Sequence, residues 1–323
     1  MEKAIYNILN DMTEVLSIQQ MRLLQESLIK RLQVEGTSEE KVLDNEEYLN
    51  MFVAAKTIEG CSKRTIEYYH ATISNMFKTI SIPIRQITTD DLREYLTSYQ
   101  LRNGCGKVTL DNIRRNLSSF FAWLEDEDHI LKSPIRRIHK VRTGTRVKET
   151  LSDENIEMLR DNCKHVRDLA IIDLLYSTGI RVGELVNLNI EDINFEEREC
   201  VVYGKGNKER RVYFDAKSKL HIQEYLNKRT DKNPALFVTL DNPHERLKIS
   251  GVEIRLRTLG RSLNIEKVHP HKFRRSMATK AIDKGMPIEQ VQRLLGHQQI
   301  DTTMHYAMVN QNNVKNSHRR YIA

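Results

Sequence analysis

Cysteine is scarce in this chain. Its 323 residues include four, Cys61, Cys105, Cys163 and Cys200, set far apart. They lack metal-ligand spacing, and no secretory h-region stands at the N-terminus, so they read as reduced thiols of a cytoplasmic protein. Long hydrophobic runs are absent too; nothing approaches the ~20 apolar residues that a membrane helix requires. There is no internal repeat and no low-complexity tract. His271 and His297 have no clustered cysteine or acidic partners, which argues against zinc, and neither a metal nor another cofactor is expected. The single tryptophan, Trp123, sits in a helical apolar stripe, where packing rather than binding is its expected role.

Charge is present in both signs, with a formal excess of +7 from 51 basic and 44 acidic side chains. Its placement is more informative than its size. Residues 1–43 carry 5 basic and 7 acidic groups, and residues 44–138 carry 13 of each. Residues 139–150 (HKVRTGTRVKET) hold 4 basic against 1 acidic, and residues 151–323 hold 29 against 23. The excess therefore lies in the connector and the C-terminal half, a pattern that suits a polyanionic partner.

The length suggests two domains. Residues 1–43 place Ile5, Ile8, Leu9, Met12, Met21, Leu24, Leu28 and Leu32 at helical spacing, predicting one or two amphipathic helices that stop at Gly36-Thr37-Ser38. Residues 44–138 read as a four-helix unit. Ser62 caps a helix with Ile66, Tyr69, Ile73, Met76 and Phe77 inside. Thr88 to Asp91 cap another over Leu92, Tyr95 and Leu96, and residues 107–125 form a third with Leu110, Ile113, Leu117, Phe120, Phe121 and Leu124 inward. Residues 139–150 lack periodicity and form a basic linker. The domain 151–323 opens on a Ser152 cap and continues with helices at 166–177 and just after Arg181, a hairpin over 199–214, and helices near 216–229, 250–264, 270–284 and 287–296. The fold class expected is mainly α with a small β-hairpin or sheet.

Six polar residues of this second domain point to chemistry: Arg181 in TGIRVGEL, Lys205 in GKGNKERR, His271 and Arg274 in HPHKFRR, His297 in LLGH, and Tyr306 nine residues later. Guanidinium groups grip non-bridging phosphate oxygens and hold the charge of a transition state. A phenol, with a free pKa of about 10, needs a base and nearby cations to act as a nucleophile. A lysine among other cations has a lowered pKa and can protonate a leaving oxygen. Lys208 competes with Lys205 for that part, and Tyr321 is the other late tyrosine. Glu184, one turn after Arg181, reads as its buried orienting partner. Pro270 suits a helix start that presents His271 and Arg274 together at a phosphate-favouring N-terminus, while Lys272 and Arg275 read as a solvent-facing basic cap. Asp301-Thr302-Thr303 reads as the cap of the helix that presents Tyr306.

In these motifs the chain resembles the tyrosine recombinase family of phage integrases and Xer-like proteins, from about residue 44 to Tyr306. The resemblance implies that Arg181 and Arg274 are the catalytic arginines, Glu184 the acidic residue three places after the first, and Lys205 the lysine of the hairpin turn. His271 pairs with Arg274 in H-x-x-R, His297 is the late histidine, and Tyr306 is the nucleophile. One departure stands out: Arg275 occupies the position where the family commonly has histidine. An all-helical core-DNA-binding domain and a mixed α+β catalytic domain would clamp double-stranded DNA from opposite sides. Strand exchange would proceed through a 3′-phosphotyrosyl link and a Holliday junction, with a homotetramer on two sites and residues 307–323 docked on a neighbouring protomer. The 43 leading residues favour a mobile-element integrase over Xer-type dimer resolution. A topoisomerase-like nicking and closing enzyme and a non-catalytic DNA-binding regulator are the other readings.

Overall fold

The computed structural model describes residues 2–13, 15–32, 43–142, 149–204, 209–297, 299–300 and 303–304. Its contacts divide the chain into two units, Met1–Thr145 and Arg146–Ala323. The architecture is mainly helical with one small sheet, as the apolar periodicities imply.

The first unit contains α1 (Glu2–Asp11), α2 (Ile18–Leu32), α3 (Asn45–Ile58), α4 (Lys63–Thr79), α5 (Thr89–Asn103) and α6 (Lys107–Asp126). Caps set most of the boundaries. Asp44 and Glu47 form a reciprocal capping box on α3, Ser62 accepts from the Thr65 N–H, Thr88 pairs with Asp91 on α5, and Gly104 ends α5 in the left-handed region. The inward faces of α3 to α6 meet in an aromatic core. Phe52 packs edge-on against Phe120 at 5.2 Å between ring centroids and against Trp123 at 5.6 Å. The expected inner residues Ile73, Met76, Leu92, Leu117, Phe120 and Leu124 are all buried. The leading segment forms two helices that lie on this same unit: Leu9 and Met21 are buried with Leu131 beside them, the Tyr6 hydroxyl donates to Asp128 at 2.7 Å, and Lys132 donates to the Thr13 carbonyl at 2.7 Å.

The second unit runs α7 (Asp153–Asp161), α8 (Val166–Thr178), α9 (Val182–Asn187), β1 (Ile193–Asn194), β2 (Glu199–Tyr203), β3 (Glu209–Tyr213), α10 (Ala216–Asn227), α11 (Ile249–Ser262), α12 (Pro270–Asp283) and α13 (Ile288–Leu295). The sheet is antiparallel in the order β1-β2-β3, with Cys200 opposite both Ile193 and Val212. The hairpin was expected; the two-residue β1 is an addition too short to leave a period-2 signal. Helix α8 is the centre of the core, with Ile171, Ile172, Leu174 and Leu175 buried. Asp173, on the same helix, is fully buried, and it accepts from Arg160 at 2.6 Å and lies against His221 Nδ1. Among the described residues no helix is long and apolar enough to cross a membrane.

Candidate active site

Helix α8 ends at Gly179, whose φ of +62° is a left-handed cap. The positive φ favours glycine there, and a Cβ would fall 2.1 Å from Met277 Cε, so that flexible side chain would have to shift. The chain turns at this point and presents Arg181 at the head of α9. One helical turn on, the buried Glu184 reaches back: its Oε2 accepts from the Arg181 backbone N–H at 2.7 Å and its Oε1 from Arg181 Nη1 at 2.8 Å. Burial pushes the Glu184 carboxyl up, but hydrogen bonds from Arg210 and Arg181 outweigh it and hold the pKa below the usual carboxylate value.

The last carbonyls of a helix have no partner inside it. At the end of α13 three consecutive ones are taken by three different arginines. Leu294 O accepts from Arg210 Nε at 3.0 Å, Leu295 O from Arg274 Nη2 at 2.6 Å, and Gly296 O from Arg181 Nη2 at 3.2 Å. Cations at a helix C-terminus also meet its favourable dipole. This collar joins Arg181 to Gly296, 115 positions on, and fixes the next residue, His297, beside them.

His297 Nδ1 lies 2.9 Å from the hydroxyl of Thr303, which is fully buried. Desolvation, followed by Arg274, Arg181 and Arg210, brings the pKa of His297 down to about 4, so the ring is neutral at neutral pH. On α12, His269 is the N-cap and Pro270 the first residue. Arg274 is 3% exposed, with Nη1 donating to Gly179 O at 2.5 Å, whereas His271 reaches solvent. Partial desolvation and then Arg274, Arg181 and Arg275 hold the His271 pKa below its ordinary value. Beside it, Arg257, Arg261, Lys267 and His269 line a groove that also contains Glu253. Together these groups make a cationic surface with neutral imidazoles, suited to a phosphodiester.

The structure thus brings Arg181, Glu184, Arg274 and His297 into one network, with His271 in the field of both arginines. Lys205, with its rival Lys208, and Tyr306, with its rival Tyr321, lie outside the described residues, as do Asp301 and Thr302 of the expected cap and the tail 307–323. Two expectations are corrected. Lys272 does not face solvent: it is 6% exposed, and its Nζ donates to Glu266 O at 2.8 Å, pinning the preceding loop to α12. Arg275 is half-buried and donates to the Glu149 carbonyl at 2.5 Å, so the position that departs from the family pattern ties α12 to the chain before α7. None of the sequence motifs singles out Arg210. Its signal was parity: it shares the inward face of β3 with Val212.

A model of the phage integrase family matches residues 142–313, and a model of the phage integrase N-terminal SAM-like domain matches residues 48–130. The chain belongs to the phage integrase family, the tyrosine-type site-specific recombinases. Tyrosine recombinase XerA of Pyrococcus furiosus is 33% identical over 287 residues, covering 87% of this recombinase and 96% of the relative. Tyrosine recombinase XerC of Leptospira interrogans serogroup Icterohaemorrhagiae is 32% identical over 279 residues, covering 82% and 89%. In fold the recombinase is similar to the XerH site-specific recombinase bound to palindromic difH substrate, with a TM-score of 0.69 and 20% identity over 97% of this chain and 93% of that one. Among the described residues of the recombinase, no group of three or more His, Cys, Asp or Glu could hold a metal ion.

Proposed function

We propose that this recombinase cleaves and rejoins double-stranded DNA through a 3′-phosphotyrosyl intermediate on Tyr306. The observation that supports it most is the arginine collar at the end of α13, which sets Arg181, Arg274 and His297 together around one helix terminus. Arg181, whose side chain is 35% exposed, meets a non-bridging oxygen of the scissile phosphate, and Arg274 behind it adds to the field. The Tyr306 oxygen attacks phosphorus as its proton passes to a neutral imidazole, with His271 the solvent-facing one. The P–O5′ bond breaks, and Lys205 gives its proton to the leaving 5′-oxygen. The bond energy stays in the phosphotyrosyl link, so a 5′-hydroxyl from a second site can reverse the step without ATP. Four protomers on two sites exchange strands in pairs through a Holliday junction, and the reaction runs in the cytoplasm without a metal.

The leading segment, longer than a two-domain plan needs, supports work on a mobile element. The XerA and XerC names of the matching relatives favour a second reading, Xer-type dimer resolution. Recombination of paired element ends against paired host chromosomal sites separates the two. The chemistry itself is tested with a nicked suicide DNA that loses its 5′-hydroxyl fragment after cleavage. The wild type should accumulate a covalent protein–DNA complex in the presence of EDTA, and Tyr306→Phe should bind the same DNA without forming one. A covalent complex from Tyr306→Phe would remove the assignment.

A further inference from the structure

Arg210 belongs to the collar, yet the proposed chemistry makes no use of it. It sits on β3 with its side chain 13% exposed. Both terminal nitrogens meet Glu184, Nη1 to Oε1 and Nη2 to Oε2 at 2.7 Å each, in the paired geometry that suits guanidinium and carboxylate. Its Nε is taken by Leu294 O, and a Cβ on Gly296 would stand 3.0 Å from its Cδ, so the end of α13 lies along its stem. Each of the three guanidinium nitrogens of Arg210 has a partner inside the protein. A guanidinium so enclosed is a poor phosphate ligand.

The carboxylate it holds is the one that also orients Arg181. Glu184 is 5% exposed and shared by two guanidiniums, which leaves the triad with one net positive charge. Arg181 gives Glu184 a single side-chain hydrogen bond, from Nη1, and Gly296 O another, from Nη2. Without Arg210 the buried carboxylate would lose two charge-assisted bonds, and an uncompensated buried charge is costly. Arg181 is the other guanidinium in its reach. Closing on Glu184 with both forks would restore the paired bonds, and it would turn Arg181 away from solvent and cancel its charge.

We propose that Arg210 is a positioning residue that keeps Glu184 occupied, so that Arg181 remains turned outward and electropositive toward a phosphodiester oxygen. The role rests on the reading of Arg181 as a phosphate ligand. It assigns Glu184 two opposite effects, orientation of Arg181 when Arg210 is present and capture of it when Arg210 is gone.

That sign change gives the test. Arg210→Met, Glu184→Gln, the double variant and Arg181→Ala are compared on the nicked suicide DNA at saturating protein, with single-site affinity and melting temperature measured for each. Arg210→Met should lower the rate of covalent complex formation by about 10-fold or more, as expected for a small misplacement of a catalytic group, while single-site binding is retained. The double variant should then cleave faster than Arg210→Met, because a neutral amide no longer captures Arg181. A role confined to stability predicts the reverse, a double variant that melts lower and cleaves no faster, and that result overturns the proposal. Arg181→Ala separates the two levels. If it cleaves like wild type, the reading of Arg181 fails and this role falls with it; if it is slow while the double variant shows no recovery, only the role of Arg210 is lost. Should Arg210→Met not fold, Arg210→Lys with and without Glu184→Gln repeats the comparison, since lysine offers a point charge in place of the paired fork.

Discussion

Among the described residues, Asp111 is the one buried charged side chain of the first unit, whereas the second unit buries Arg167, Asp168, Asp173, Glu184, Lys272 and Arg274. The first is held by an aromatic cluster around Phe52, Phe120 and Trp123, whose energy is large and weakly directional. The second adds paired charges whose energy is modest after desolvation but whose geometry is specific. Arg274 stabilises little by being buried; its two bonds to Gly179 O and Leu295 O fix where α8 ends relative to α13. A core held by apolar packing tolerates softness. A unit that must hold a phosphate against several side chains needs fixed directions, and hydrogen-bonded charge supplies them.

The contrast predicts that variants in the two units fail in different ways. The largest effect on stability belongs to the first unit. Phe120, fully buried, replaced by Ala should cost about 3–5 kcal/mol of unfolding free energy. Urea denaturation measures it, and the cleavage rate of the remaining folded, DNA-bound protein should be unchanged. A cleavage defect beyond the loss of folded protein would blur the contrast. In the second unit, Arg181→Ala removes a half-exposed side chain, so its stability should change little while cleavage falls on the order of 10²-fold, the scale for losing a transition-state donor. Single-turnover rates at saturating DNA check this, and a normal rate would count against the site.

A smaller effect sharpens the comparison through pH. The pKa of His297 lies at about 4, against 6.5 for the free side chain, so between these values the unfolded chain binds a proton that the folded one does not. Stability is therefore fully present above about pH 6.5 and is lost as pH falls toward 4. His297→Gln should flatten this acid-side slope in chemical denaturation, and a slope equal to that of the wild type would show that His297 is not desolvated by the collar.

Much of this was legible from sequence because it is written in local signals. Ser62, Thr88 and Ser152 announce their helices through side-chain oxygens that accept from a backbone N–H three residues on. Gly179 and Gly296 end α8 and α13 just before Arg181 and His297. What escaped was tertiary. Lys272 looks like a surface lysine until the Glu266 carbonyl is placed beside it, and Arg210 looks like one more cation of a basic hairpin until Glu184 is seen 26 residues away in sequence and 2.7 Å away in space. Thr303 fits the sequence pattern of a helix cap, yet its buried hydroxyl lies 2.9 Å from His297 Nδ1, a contact that no local pattern announces.

On the proposed function, the second unit assembles its charges so that Tyr306 takes a DNA 3′-phosphate. The most direct measurement is to digest the trapped covalent complex and identify by mass both the modified peptide and the DNA end attached to it. The expected product is a 3′-phosphate ester on Tyr306, with a free 5′-hydroxyl on the released strand. Attachment at Tyr321 or any other residue, or linkage through a 5′-phosphate, would contradict it.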